Sequence, residues 1–409
     1  MHIPRRADPF DRRAVLIGAG TCLLATDGAV ARAFGASIHD LRSVERSRVT
    51  RAADRALAAP IRTITSVRAA RSPGGLHDYY SEADYWWPDP VNPGKSYVRR
   101  DGFSNPAKFD AHRQLLIAFG MRMPALAAAW VATRKPVYPR AAAAHLHAWF
   151  VDPATRMNPD LSHAQAIIGR DTGRAIGIID TLQIVEVARG AAMLGRAAAP
   201  GFDERLMTGV RAWFVAYVAW LTTSPAGIEE RDQANNHGTC WLLQVAAFAD
   251  LLGDMACTSA ARDRLIGIVV PRQIAADGSQ PLELARTKPY GYSLFNTDVL
   301  AACCQLLSTP ERDVWRATTP PAGSVADAVA YMARFVRDKH AWPLPPDVEH
   351  FASWPVRQPS LLFAGVALDR PEWVSLWRGL DGDPTDPEVV RNFPVRQPLL
   401  WLPGSTRIG

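Results

Sequence analysis

The sequence predicts an all-α protein whose helices pair and close into a ring or incomplete barrel as a single domain. Three observations carry this expectation. Apolar residues recur at helical spacing in eight segments. Proline and glycine punctuate the joints between them. No series of alternating strands is present. With 409 residues and 48% hydrophobic content the chain can bury a sizeable core, and global disorder is excluded.

The N-terminus reads as a targeting segment over residues 1–33. Arg12 and Arg13 precede an apolar run at 14–25, and small residues follow at Ala29, Ala31 and Ala33. Basic, apolar, then small is the order of a secretory leader. The twin arginine is the signal for export of a folded protein. Cleavage after Ala33 leaves a domain at 34–409 with a net charge of +4, periplasmic or secreted. No other stretch is read as long enough to cross a membrane, so no membrane partner is expected once the leader is removed.

Within that domain, helical periodicity marks 107–131, 139–150, 174–197, 203–222, 237–253, 258–270, 291–307 and 324–339. Breakers at Pro136, Pro153, Gly201, Pro225, Gly253, Pro271 and Pro310 separate them. Apolar faces repeat but sequence identity does not, which excludes arrays of the TPR or HEAT kind. Two segments lack the helical pattern. Residues 72–106 are aromatic, and 341–359 hold five prolines with Trp342 and Trp354. Unstructured stretches of that length inside a compact domain are usually functional, and both are expected to close over a cleft.

The net charge of +6 and pI near 9.2 favour an anionic partner. The arginines are scattered rather than gathered in a stripe, which argues against nucleic acid and for an acidic glycan. Cys240, Cys257, Cys303 and Cys304 lack the paired spacing of a zinc site. Buried thiols are expected, with at most one disulfide, and neither metal nor cofactor.

The chemistry-bearing residues fall in four places. Asn235, Asn236 and His237 open the apolar helix at 237–253. One asparagine serves as its N-cap, and a helix N-terminus also favours an anion such as a carboxylate. Some 45 residues on, Arg286 can grip a carboxylate bidentately, with Glu283 placed to orient it. Tyr292 carries a phenol whose pKa nearby cations would lower, fitting it to move a proton. The polar loop 149–165 offers Asn158, His163 and Gln165 to sugar hydroxyls, and Arg170 and Arg174 follow, with Gly173 and Gly177 permitting close backbone approach. The aromatic run around Trp86 makes either a stacking platform for sugars or buried packing. Taken singly, each has an ordinary structural alternative as cap, core residue or solvated charge. Together Asn, His, Arg and Tyr are what proton abstraction beside a carboxylate needs.

Four stretches then carry a resemblance: DYYSEADYWWPDP and YVRRDG within 77–102, WFVDPATRMNPDLSHAQ within 149–181, NNHGTCW at 235–241 and DGSQPLELARTKPYGYSLFN at 277–296. In order and wording the chain resembles the alginate lyase superfamily. The resemblance implies an (α/α) toroid and a cofactor-independent lyase that cleaves an acidic polysaccharide by β-elimination. It places the catalytic set on Asn236, His237, Arg286 and Tyr292, and a substrate contact on Gln165. Asn235, Tyr290, Arg174, Trp241 and Trp86 are the further substrate-binding candidates. Two departures from the family pattern are Cys240 beside Trp241, and Tyr290-Gly291 before Tyr292, which leaves Tyr290 as a rival for the catalytic role. Two other classes remain open: an inverting glycoside hydrolase, drawing two carboxylates from Asp78, Glu82, Asp84, Glu229, Glu230 and Asp232, and a non-catalytic glycan-binding protein.

Overall fold

The computed structural model describes residues 30–92 and 94–402, with side chains from residue 41 onward. The targeting segment expected at 1–33 therefore lies almost wholly outside the described residues. The first helix, α1, runs Val30–Ala58. Two small sheets follow in the aromatic segment. β1 (Tyr80–Glu82) pairs parallel with β4 (His163–Ala166), and β2 (Trp86–Trp87) pairs antiparallel with β3 (Val98–Arg99). The strands were unforeseen because each is two to four residues long; the β1–β4 pair ties segments 72–106 and 149–181 together, while β2 and β3 pair within the first of them.

The remaining elements are helical: α2 (Ala111–Thr133), α3 (Val137–Leu146), α4 (Val185–Arg196), α5 (Glu204–Thr223), α6 (Pro225–Arg231), α7 (Asn236–Leu252), α8 (Met255–Arg264), α9 (Val270–Gln273), α10 (Pro281–Leu284), α11 (Pro289–Leu307) and α12 (Val325–Arg337). All eight expected segments are helical, with boundaries shifted by a few residues. Three further short helices, α13 (Pro359–Ala367), α14 (Pro371–Gly379) and α15 (Pro387–Arg391), were not expected. Each has a proline at its first helical turn, where fixed φ and a missing N–H suit the helix start. At five to nine residues they are too short to show a clear period.

Packing sorts the helices into two layers. An inner series runs α2, α4, α7, α11, α13, each packed on the next, while α1, α3, α5, α8, α12 and α14 lie outside them. The turn at 398–400 returns onto α2 and α4 and closes the arc. This is the incomplete (α/α) toroid that the pattern and the resemblance anticipated. The inner helices α2, α7, α11 and α13 are covered all round, so their amphipathicity is weak and their apolar content high, whereas α4 keeps a distinct polar side. Helix α2 shows the consequence. It has 23 residues, and the mean hydropathy of 1.7 in its 18-residue window is enough to cross a membrane, contrary to the sequence reading, yet it is mostly buried between its neighbours.

Segment 341–359 also departs from expectation. It does not reach the cleft. Its Asp347 accepts from the backbone N–H groups of Tyr290 and Gly291, both at 2.8 Å, and so caps the start of α11. All four cysteines of the described chain are free thiols; Cys240, Cys303 and Cys304 are buried.

One buried carboxyl yields a stability prediction. Asp298 on α11 accepts from the Ser360 N–H at 3.1 Å and joins two inner helices. Burial pushes its pKa up to about 7, against the opposing pull of Ser360. A carboxyl raised in the folded state contributes stability in full below its unfolded pKa, and that contribution is lost as pH rises through about 7. Asp298→Asn should therefore gain on the wild type by about 2–4 kcal/mol between pH 5 and pH 8. Denaturant melts at the two pH values check this. An equal gap at both would remove Asp298 as the source.

Candidate active site

A cleft of about 350 Å³ opens on the ring face, walled by the ends of α7, α11 and α15 and by the strand-bearing segments. Its first wall is built by the start of α7. Asn235 is the N-cap, its side chain accepting from the His237 N–H at 3.3 Å. Gly238 makes this turn possible, since a Cβ there would sit 2.2 Å from the Gln233 carbonyl oxygen. Asn236 and His237 thus occupy the first two helical positions, facing the cavity.

Two buried glutamates fix them. Glu283 accepts from the Asn236 backbone N–H (2.8 Å) and from its side-chain Nδ2 (2.7 Å). Glu230, fully buried at the end of α6, lies 2.7 Å from His237 Nδ1. That contact assigns the Nδ1 proton to the side facing Glu230, and His237 Nε2 makes no hydrogen bond to another described residue. Burial raises the pKa of both glutamates, opposed by Asn236 at Glu283 and by His237 at Glu230. Glu283 was expected to orient Arg286; its hydrogen bonds go to Asn236 instead, and the ion partner of Arg286 is Asp101 at 3.7 Å. Glu283 and Asp101 are distant in sequence from Asn236 and Arg286, so no local spacing announced those pairs.

The second wall carries Arg286, in the turn before α11, and Tyr292, in that helix's first turn. The guanidinium lies 4.3 Å from the Tyr292 ring centre and donates to its hydroxyl oxygen at 3.3 Å. Tyr85 shares a 2.8 Å hydrogen bond with the same hydroxyl. The expected lowering of the Tyr292 pKa does not occur. Burial raises it well above the ordinary phenol value, Tyr85 adds to the rise, and Arg286 only partly opposes them. The phenol therefore holds its proton at neutral pH. Burial alone would lower the pKa of Arg286, but Tyr292, Asp101 and Glu283 outweigh it.

Gln165, Arg174, Asn235 and Trp86 also line the cleft. Gln165 sits in the left-handed region at φ 50°, uncommon for a residue with a side chain. Tyr290 and Trp241 do not line it. Tyr290 is fully buried, donates to the Phe335 carbonyl oxygen at 3.1 Å and packs edge-on against Trp342 and Phe351. Trp241 is one turn deeper in α7, fully buried, and donates to the Leu221 carbonyl oxygen. Both are core residues, which corrects their assignment to substrate. Asn158 is likewise engaged elsewhere, donating to Asp78 at 2.7 Å. Sequence reasoning gave no role to Tyr85 and Asp101, although both lie in stretches that carry the resemblance, and missed Arg113 and Arg391 altogether.

The carboxylates that face the cleft are already committed. Asp84 and Asp180 both pair with Arg113, at 2.7 and 3.2 Å, and Asp84 also pairs with Arg391 at 2.5 Å. Burial would raise Asp84, but Arg113, Arg391 and Lys108 hold it well below the usual carboxylate range. Such a group is not a proton donor at neutral pH, so the acid–base pair of an inverting hydrolase is missing from the cleft.

A helical toroid with a cationic, tyrosine-bearing cleft and, among the described residues, no free carboxylate pair fits the class of polysaccharide lyases. The chain belongs to the alginate lyase family, whose sequence pattern matches residues 63–342. In structure it is similar to an alginate lyase from Bacteroides ovatus, with a TM-score of 0.76 and 27% identity over 91% of this chain and 96% of that one. Alginate lyase A1-III from Sphingomonas species A1 aligns more loosely, with a TM-score of 0.47 and 17% identity over 77% of this chain and 82% of its own. No curated protein matches the sequence.

Proposed function

We propose that this lyase cleaves the uronate chain of alginate or a close polyuronate by β-elimination, after export through the leader read at 1–33. The observation that carries the reading is the pairing of a carboxylate clamp with a proton donor. Arg286 stands 3.3 Å from the Tyr292 hydroxyl, with Asn236 and His237 lining the same cavity.

Arg286 and Asn236 bind the carboxylate at C5 of the sugar. Neutralising that charge stabilises the enolate-like anion formed when the C5 proton leaves. Tyr292 gives its proton to the departing O4, the glycosidic bond breaks, and a C4–C5 double bond remains. The raised phenol pKa suits this donor role, because the proton is present at neutral pH. The identity of the base follows the stereochemistry of the sugar. In guluronate the C5 hydrogen and O4 lie on opposite faces, and His237, with Nδ1 held by Glu230, takes the proton through Nε2. In mannuronate and glucuronate they share a face, and Tyr292 serves both steps from the minor phenolate form that Arg286 favours, taking the C5 proton and returning it to O4.

His237→Ala tests this division. Its kcat should fall about 10²–10⁴-fold on guluronate-rich polymer, the range of general acid–base assistance, and clearly less on mannuronate-rich polymer. The measurement is initial rate on the two polymers side by side. Equal losses on both would assign His237 to binding alone.

A further inference from the structure

A buried chain of amides lies behind the turn that opens α7. Gln273 ends α9, Gln280 immediately precedes α10 and Asn296 sits on α11, and all three side chains are buried. None of them lines the cleft. Gln273 Nε2 donates to the Asn235 carbonyl oxygen at 2.8 Å, while its Oε1 accepts from Asn296 Nδ2 and from the Thr239 hydroxyl, both at 2.8 Å. Asn296 Nδ2 also donates to Gln280 Oε1 at 2.7 Å. Gln280 Nε2 in turn donates to the Ser293 carbonyl oxygen at 3.2 Å and to the Thr297 hydroxyl oxygen at 2.7 Å.

The two ends of this chain fix its direction. A backbone carbonyl only accepts, so Gln273 and Gln280 must each turn the amide nitrogen to the backbone and the amide oxygen inward. Two inward oxygens require a donor between them, and Asn296 meets them with both hydrogens of Nδ2. No member can flip without setting like against like. Holding helices together does not require such a chain, since apolar side chains of the same shape do so about as well. Asn296 even leaves its Oδ1 buried without a hydrogen bond to a described residue, which adds to the cost. What a directed polar network adds is one fixed arrangement.

That arrangement matters because of what hangs on each end. Asn235 is the N-cap of α7, and Asn236 and His237 follow it directly. Ser293 follows Tyr292 on α11. The Gln280 carbonyl oxygen accepts from the N–H of Glu283, the residue that holds Asn236. The amides thus join the wall that carries Asn236 and His237 to the wall that carries Tyr292, and Gln273 is the link to the first of these.

We infer that Gln273 is a positioning residue for β-elimination: through the Asn235 carbonyl oxygen it sets where Asn236 and His237 stand relative to Tyr292. This rests on the proposed lyase activity and deepens it.

The test compares wild type with Gln273→Glu, Gln273→Met and Thr239→Val, each well below its melting temperature, on the polyuronate that the wild type cleaves best. Gln273→Glu keeps the shape and the acceptor for Asn296 and Thr239, but puts an oxygen where Nε2 met Asn235. Protonated, that carboxyl still donates to the carbonyl; ionised, it opposes it. Burial favours the protonated form. The kcat of Gln273→Glu relative to wild type should therefore be near unity at about pH 5 and fall about tenfold or more by about pH 9, with KM within about threefold. Glu230, Glu283 and His237, the ionisable groups around this turn on α6, α10 and α7, are common to both proteins, so the ratio removes them. Gln273→Met has no donor in any form and should lose about tenfold in kcat at every pH. Thr239→Val removes a different bond to the same Oε1 and leaves Gln273 held by Asn296. It should lower Tm by about 2–4 °C and keep kcat within about twofold. A flat ratio for Gln273→Glu across this pH range, or losses of kcat in all three variants that simply follow Tm, would overturn the positioning role while leaving β-elimination intact. A wild type that forms no unsaturated product from any polyuronate would remove the lyase activity, and the inference with it.

Discussion

Arg286→Ala is expected to lower kcat/KM by about 10³-fold or more, with both kcat and KM affected. Removing an electrostatic donor at the site of developing charge typically costs about 10²–10³ in kcat, and Arg286 carries a full charge at a largely enclosed position. The loss has two components. The carboxylate in the ground state loses a bidentate partner, which raises KM. The anion formed on proton removal loses its chief stabilisation, which lowers kcat. Arg113 and Arg391 do not substitute for it, since each is neutralised by carboxylates. Arg286→Lys should recover only part of the activity, because an ammonium restores charge without the planar fork. Steady-state kinetics on one polyuronate decides the matter. A loss confined to KM would make Arg286 a binding residue only.

The second large effect separates two tyrosines that lie two residues apart. Tyr292→Phe should reduce kcat about 10²–10⁴-fold and leave KM within a few-fold. The phenylalanine ring still stacks under Arg286, while the hydroxyl that meets Arg286 and Tyr85 is gone. Tyr290→Phe should leave kcat unaltered and cost about 1 kcal/mol of stability, the worth of one buried hydrogen bond to the Phe335 carbonyl oxygen. Rates and melting curves of the two variants, measured together, check the pair. The opposite pattern would return the catalytic role to Tyr290.

These two tyrosines also mark where sequence reasoning stops. Helix positions of the ring were legible because their apolar period is long and sustained, and the start of α7 was legible because Asn-Asn-His precedes an apolar run. The start of α11 was visible too, yet the direction of each tyrosine was not. Residues two apart on a helix point to opposite sides, so one of the pair had to face the core. Choosing between them needed Trp342, Phe351 and Asp347, which come from a segment some 50 residues on. Trp241 failed for another reason. It is one turn from His237 on an inner helix that is covered all round, so depth rather than face decides what reaches the cleft. The pKa of Tyr292 was misjudged because the cation beside it was evident in the sequence and its burial was not. Glu230 and Glu283 were visible near His237 and Arg286 but their hydrogen-bond partners were not, while Asp101, Arg113 and Arg391 reach the site through tertiary folding alone. Of these, Arg391 sits on a five-residue helix beyond the region matched by the family pattern.

The measurement that bears most directly on β-elimination is ultraviolet absorbance of the purified protein with a panel of polyuronates. It follows the conjugated double bond of an unsaturated uronate end. Absorbance should rise with alginate or a close polyuronate, and the rise should vanish in Tyr292→Phe and Arg286→Ala. New reducing ends without any rise in absorbance would contradict the account, because they would mean hydrolysis.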